Sequence, residues 1–373
     1  ASGIVETGIR NLDRFSRANR VIEMEKIFKT ATRLKSAKTI TINGETKEAP
    51  RLYNIYKLKL ESQTDAKALA EELQTEPEVE YAEPNYFVYS QGVFDNSEFV
   101  AKNTETKKDN TQLNKTQTTA APNDPLYSEQ WYLQAINAEG AWAKEPTGGA
   151  GQVIGILDTG VDYLHPDLDD NIWKNEAELN GVEGVDDDGN GFIDDIMGWD
   201  WINQDNDPKD DNSHGTHVAG IAAAEQNNGT GISGVAFGAK IMPLKVLQSS
   251  GRGNSSDLAA AITYAAENGA TVINMSLGSY GESLTVKAAL EDAYSTAVPV
   301  AAAGNDGLNI ELDPDTSIPH YPACYSFVLG VEAYKQDFLK ALFSNYDTSG
   351  PIQYKGEKGF NDEMKAPGVN INS

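Results

Sequence analysis

One cysteine, Cys324, stands among 373 residues, which excludes an internal disulfide framework and any Cys-rich zinc site. No apolar run approaches the roughly 18 residues a membrane-spanning helix needs. The opening ASGIVETGIR has neither a basic stretch nor an apolar one, so no signal peptide is visible in it. Basic residues are scarce: 30 Lys+Arg face 56 Asp+Glu, for a net charge of −26. Nucleic-acid binding, which relies on Lys and Arg to neutralise phosphates, is thereby disfavoured, and cation binding favoured. No repeat with the period of a solenoid is present. What the chain does have is 39% hydrophobic residues and a length suited to two or three domains with a substantial core.

The charge is uneven. Residues 1–120 carry 18 Lys/Arg and 18 Asp/Glu, whereas residues 121–373 carry 12 and 38. Eleven acidic residues and a single lysine, Lys209, fall between Glu183 and Asp211. Residues 51–89 read as strand, helix, then strands: RLYNIYKLKL alternates with period 2, and Thr64 or Asp65 caps a helix that places Ala66, Leu69, Ala70 and Leu73 on one face. Glu76-Pro77 ends that helix. With strand-like pieces at Val21–Phe28 and Thr39–Ile42, residues 1–90 are expected to form a small α+β domain. Gln91–Pro122 turns to Asn, Thr, Lys and Gln, the composition of a linker, and processing is expected within 91–122.

Residues 123–373 alternate strand and helix. GQVIGILDTG, KIMPLKVL, TVINMSLGS, VPVAAAGN and SFVLGVEAY read as strands; HGTHVAGIAAA, DLAAAITYAAEN behind Ser255/Ser256, and SLTVKAALEDAYSTA read as helices. Such alternation specifies an α/β fold with a doubly wound, mostly parallel sheet. Ligands bind at the carboxyl ends of the strands in such sheets. Three motifs fall there: Asp158-Thr159-Gly160, Ser213-His214-Gly215-Thr216-His217, and Ala303-Gly304-Asn305-Asp306-Gly307. Taken alone, Asp-Thr-Gly is a turn. His214 and His217 stand at i and i+3, whereas the zinc-peptidase pattern needs i and i+4 with an intervening Glu. The other reading is a general base, His214, oriented by an aspartate that precedes it in the chain.

In this order the motifs resemble those of the subtilisin-like serine peptidases (subtilases), from about Asn123 to Ser373. The resemblance implies a subtilisin-like fold and a peptidase working through an Asp-His-Ser triad, with Asp158 and His214 as its first two members. Asn305 takes the place of the oxyanion-hole asparagine, whose amide contributes about 3–4 kcal/mol of transition-state stabilisation. Met275-Ser276-Leu277-Gly278 resembles the strand that binds substrate backbone, so Ser276, Leu277 and Gly278, with Ala302 and Gly304, are implied in substrate binding. His320 falls at the bottom of the primary specificity pocket, which implies a broad preference with some control from His320, toward acidic or aromatic side chains according to its protonation. The family's serine sits in a Gly-Thr-Ser-Met-Ala helix start after a segment like Met364–Val369, and is therefore expected beyond Ser373.

Calcium is the implied cofactor. The loop Glu225–Ile232 resembles the family's calcium loop, with ligands from Asn228 and the carbonyls of Gln226, Thr230 and Ile232, joined by Asp167 and by Asp124 as in thermitase-like members. A second candidate is the Val185–Asp195 insert, where Asp186, Asp188, Asn190, Asp194 and Asp195 surround two glycines but lack a distal Glu. Residues 51–89 resemble the family's inhibitor propeptides. That implies an intramolecular inhibitor, polypeptide substrates, and a secreted or cell-envelope location. A non-catalytic binding protein on the same fold is the alternative.

Overall fold

The computed structural model describes residues 6–31, 39–61, 65–91, 121–310, 319–346, 353–354, 357–358, 364–368 and 371. Of the expected linker only Gln91, Ala121 and Pro122 are among them; Thr64 and Ser373 also lie outside the described residues. In the N-terminal unit, α1 (Arg10–Ala18) leads into β1 (Val21–Lys26). A hairpin of β2 (Thr39–Ile42) and β3 (Glu45–Glu48) follows. Its two-residue turn is Asn43-Gly44, both at positive φ (50° and 82°), as a primed hairpin turn requires. The strand expected from Arg51 begins only at β4 (Tyr56–Leu60), which pairs antiparallel with β1, because Leu52–Asn54 forms a 3₁₀ turn that buries Leu52. Asp65 caps α2 (Ala66–Leu73), accepting from the N–H groups of Lys67 and Ala68 at 3.0 and 3.1 Å. One strand follows α2, β5 (Phe87–Ser90), and not several.

The larger unit opens with α3 (Trp131–Ala135) and α4 (Ala138–Trp142), then β6 (Val153–Asp158), α5 (Glu176–Leu179), β7 (Trp199–Asp200) and α6 (His214–Ala223). It continues through β8 (Lys240–Lys245), β9 (Arg252–Asn254), α7 (Ser255–Glu267), β10 (Val272–Met275), β11 (Leu277–Gly278) and α8 (Leu284–Ala293). β12 (Val298–Ala302), β13 (Leu329–Tyr334), the paired β14 (Gln353–Tyr354) and β15 (Glu357–Lys358), and β16 (Met364–Pro367) complete it. Seven strands form one parallel sheet in the order β16-β13-β12-β10-β6-β8-β7.

Alternation along the strands feeds two apolar layers. Ile156 packs with Ala219 and Ala223 of α6, while its neighbour Leu157 joins the layer of Leu258, Ile262 and Ala265 from α7. The chain builds outward from β6 in both directions, so the sheet's switch point is at β6, whose last residue is Asp158.

The N-terminal unit docks against the ends of α7 and α8. The serines expected to cap α7 do not cap it; its N-cap, Asn254, makes no side-chain cap bond. Instead Asn85 Oδ1 accepts from the Ser256 N–H and the Ser255 hydroxyl, each at 3.0 Å. At α8, whose own N-cap Ser283 accepts from the Val286 N–H, Glu83 accepts from the N–H groups of Leu284 and Thr285.

Candidate active site

Asp158 closes β6 with no solvent exposure, and its Oδ1 lies 2.7 Å from His214 Nδ1. The histidine reaches it because α6 begins hard against the β6 turn. A Cβ on Gly215 would stand 2.0 Å from the Gly160 carbonyl oxygen, so only glycine permits that approach. Asp210 secures the junction: one oxygen accepts from the Thr159 hydroxyl and the Ser213 N–H, the other from the Thr216 N–H and hydroxyl. Nothing in the local sequence singled Asp210 out among its acidic neighbours.

Burial works to lower the His214 pKa; the hydrogen bond and charge of Asp158 outweigh it and raise the pKa above 6.5. His214 Nε2 faces the backbone carbonyl oxygen of Gln91 at 3.1 Å. Among the described residues no serine hydroxyl is hydrogen-bonded to this imidazole. His217 is hydrogen-bonded elsewhere, with Nε2 at 3.3 Å from the Ile371 carbonyl.

The N-terminal unit's tail occupies the cleft as an extra strand. β5 runs antiparallel between β11 and β9, with Leu277 opposite Ser90, Gly278 opposite Tyr89 and Gly253 opposite Val88. The Gln91 N–H donates to the Ser276 carbonyl at 3.0 Å, and the Ser90 N–H to the Gly251 carbonyl at 2.8 Å. Ser276, Leu277 and Gly278 thus hold backbone, as strand addition requires. The second wall, Gly251–Asn254, escaped the sequence reading because a short Gly-rich segment has no strand periodicity.

Alongside Tyr89, Ser90 and Gln91 the cleft opens into a cavity of about 610 Å³ whose other walls include Gly278, Tyr280, Asn305, Asp306 and His320. Ala302 ends β12 beside it, and Gly304 takes φ +107°. A Cβ on Gly304 would lie 2.3 Å from Asn345 Nδ2. Asn345 is fully buried; its Oδ1 accepts from the N–H groups of Asp306 and Leu308, and its Nδ2 donates to the Ala303 carbonyl. It therefore shapes the loop that carries Asn305, a role no motif announced. His320 is 1% exposed, and burial pushes its pKa down to about 4. The ring is neutral near pH 7, which removes the charge on which an acidic preference would depend.

Two groups of oxygen ligands form. Asp167 accepts from Asn228 Nδ2 at 2.8 Å and from the Ile232 N–H at 2.9 Å, and Asp124 Oδ2 from the Asn227 N–H at 3.1 Å. Gln226 donates its amide to Ser233, and the Thr230 N–H donates to Asn228 Oδ1. Asp124 is 4% exposed, yet its Oδ1 is buried with no hydrogen-bond partner. Burial raises the Asp167 pKa, and the charge of Asp124 adds to it.

In the acidic insert, Asp186 and Asp188 meet Glu178 of α5, each offering a carboxylate oxygen within 4.8 Å of the others. Glu178 was missed because it precedes the insert; folding supplies the glutamate that the loop itself lacks. These three carboxylates accept hydrogen bonds from the loop, Glu178 from the Asp187 N–H and Asp186 from the Gly191 N–H among them, and the other expected ligands are engaged too. Asp194 accepts from the Gly184 N–H, Asp195 from the Tyr264 hydroxyl, and Asn190 binds Asp188 and Asp195 through its amide.

Residues 149–370 match the subtilase family (peptidase S8), and residues 28–85 match the fervidolysin N-terminal prodomain. A thermophilic serine proteinase of Bacillus sp. (strain AK1) is 38% identical over 286 residues, spanning 76% of this chain and 56% of that protein. Thermitase of Thermoactinomyces vulgaris is 39% identical over 227 residues, 60% of this chain and 70% of thermitase. The halolysin-like extracellular serine protease Nep of Natrialba magadii is 36% identical over 260 residues, 68% of this chain but 40% of that protease. Strand order, site geometry and these matches agree, and the chain belongs to the subtilase family, carrying a prodomain ahead of its peptidase domain.

Proposed function

We propose that the chain is the zymogen of a secreted, calcium-dependent serine endopeptidase. The observation that carries this is His214: its Nδ1 holds Asp158 at 2.7 Å while its Nε2 faces a strand-bound peptide carbonyl, that of Gln91, at 3.1 Å. In this reading His214 takes the proton from a serine that follows residue 373 in sequence and returns it to the leaving amine. Asp158 holds the imidazole's orientation and stabilises its charged form, and Asn305 donates to the oxyanion. The prodomain is its own inhibitor, with its tail along the substrate path.

Calcium fits the Asp124, Asp167 and Asn228 group, since a buried carboxylate oxygen without a donor, Asp124 Oδ1, is suited to a hard cation. Carbonyls of Gln226, Thr230 and Ile232 would complete it. Its contribution would be to hold the loop after α6; Glu178, Asp186 and Asp188 are the next candidate group. Export fits an enzyme kept silent by its own prodomain, and the extracellular relative named above supports it.

The test uses the complete protein, with the sequence that follows residue 373. A serine-directed phosphonylating reagent is expected to abolish peptide hydrolysis, and His214→Ala to abolish both hydrolysis and labelling. Hydrolysis indifferent to both would leave a peptidase of another class. Neither hydrolysis nor labelling in the processed protein would make it a binding protein on this fold.

A further inference from the structure

The end of the prodomain tail places a side chain, not only backbone, into the cleft. Gln91 sits with its carbonyl oxygen 3.1 Å from His214 Nε2, and its amide Nε2 lies 3.3 Å from His320 Nε2. The pocket is built around that imidazole. A Cβ on Gly278 would stand 2.1 Å from His320 Cε1, one on Gly304 3.3 Å away, and the Tyr280 ring meets it edge-on at 5.0 Å.

We propose that this pocket selects a primary amide: glutamine is the preferred residue before the scissile bond, and Gln91–Gly92 is the bond cut to release the mature enzyme. The proposal rests on the peptidase reading above and adds its specificity.

A neutral imidazole nitrogen either carries a proton or a lone pair. A carboxamide answers both, through C=O in the first case and N–H in the second, so it pairs His320 Nε2 in either tautomer. Other side chains do worse. Phenylalanine offers His320 Nε2 no hydrogen bond in place of the one Gln91 makes. Glutamate brings a second carboxylate into a cavity that already holds Asp306 and has no Lys or Arg among its lining residues. Lysine can only donate, so it pairs His320 Nε2 in one tautomer alone.

The step balances without a further reactant except water. The Gln91 carbonyl carbon passes from the Gly92 nitrogen to the serine oxygen, and the Gly92 amine leaves with the proton carried by His214. Water then releases the Gln91 carboxylate and restores the serine.

The test again uses the complete protein, so that the nucleophile is present. Mass spectrometry of the mature form is expected to give Gly92 as its first residue. On fluorogenic Val-Tyr-Ser-X peptides at neutral pH, X = Gln is expected to exceed Glu, Phe and Lys in kcat/KM by about tenfold or more. His320→Leu should bring the Gln-to-Phe ratio of kcat/KM down toward one. Because that buried substitution can disturb folding, Gln91→Glu and Gln91→Phe in the intact precursor form a second arm, expected to slow processing at this bond. An active enzyme that begins elsewhere, or prefers Phe or Lys, overturns the proposal alone. Absence of hydrolysis and of reagent labelling overturns the peptidase reading on which it stands.

Discussion

The carboxylate of Glu83 accepts the N–H of Leu284 at 2.7 Å, so a residue of the prodomain caps a helix of the peptidase domain. The same carboxylate accepts from the Thr285 N–H and the Ser283 hydroxyl. Helix starts carry unpaired donors and partial positive charge, which a carboxylate satisfies on both counts. α8 lies against α7, and Asn85 binds the start of that helix too.

Glu83→Ala is therefore expected to weaken prodomain docking by about 1–2 kcal/mol, the scale of a lost cap. Glu83→Gln, which keeps an acceptor, should lose less. Denaturant unfolding of the full chain and limited proteolysis of the prodomain check this; equal stability in all three proteins would contradict it.

His214 has its pKa raised above 6.5 because Asp158 outweighs burial. The unprotonated form is the base, so activity in the complete enzyme is expected to appear only as pH rises through the His214 pKa. Asp158→Asn removes the nearest opposing charge and leaves burial set against the Gln91 carbonyl and the charge of Asp210, so the His214 pKa should fall from its raised value. NMR titration of the imidazole measures both. For stability the sign is the reverse: the raised group stabilises the fold below 6.5 and loses that contribution as pH rises through its folded pKa.

His320 behaves oppositely. Its pKa falls from 6.5 to about 4. The unfolded chain binds the proton first, so its contribution is present above 6.5 and is lost as pH falls toward 4. That is worth roughly 3 kcal/mol across the window. Stability measured from neutral to acid pH should fall more steeply in the parent than in His320→Gln, which has no imidazole to titrate.

Calcium is expected to raise the melting temperature and chelator to lower it. A ligand that binds only the folded state stabilises by about 2.7 kcal/mol at a hundredfold excess over Kd. Asp124→Asn should remove most of the response, since it alters the carboxylate with the unpartnered oxygen. Coincident melts with and without the ion would dismiss the site.

The parallel sheet was readable because strand-helix alternation is a local signal; Asp158, His214 and the Asn305 loop stood out as motifs at strand or helix ends. The cap on α2 was equally local, an aspartate one residue ahead of an apolar stripe. What the tertiary structure decided are pairings that no motif spans. Glu178 joins Asp186 and Asp188 only after α5 folds back on the insert, and Asn345 finds the Gly304 turn from 41 positions away. The cap for α7 comes from Asn85, so a serine at the helix start was the right signal for the boundary and the wrong one for the partner. His320 shows the limit most clearly. Its position could be read from the sequence, but its charge could not, because protonation follows burial, and burial is a property of everything that packs around the ring.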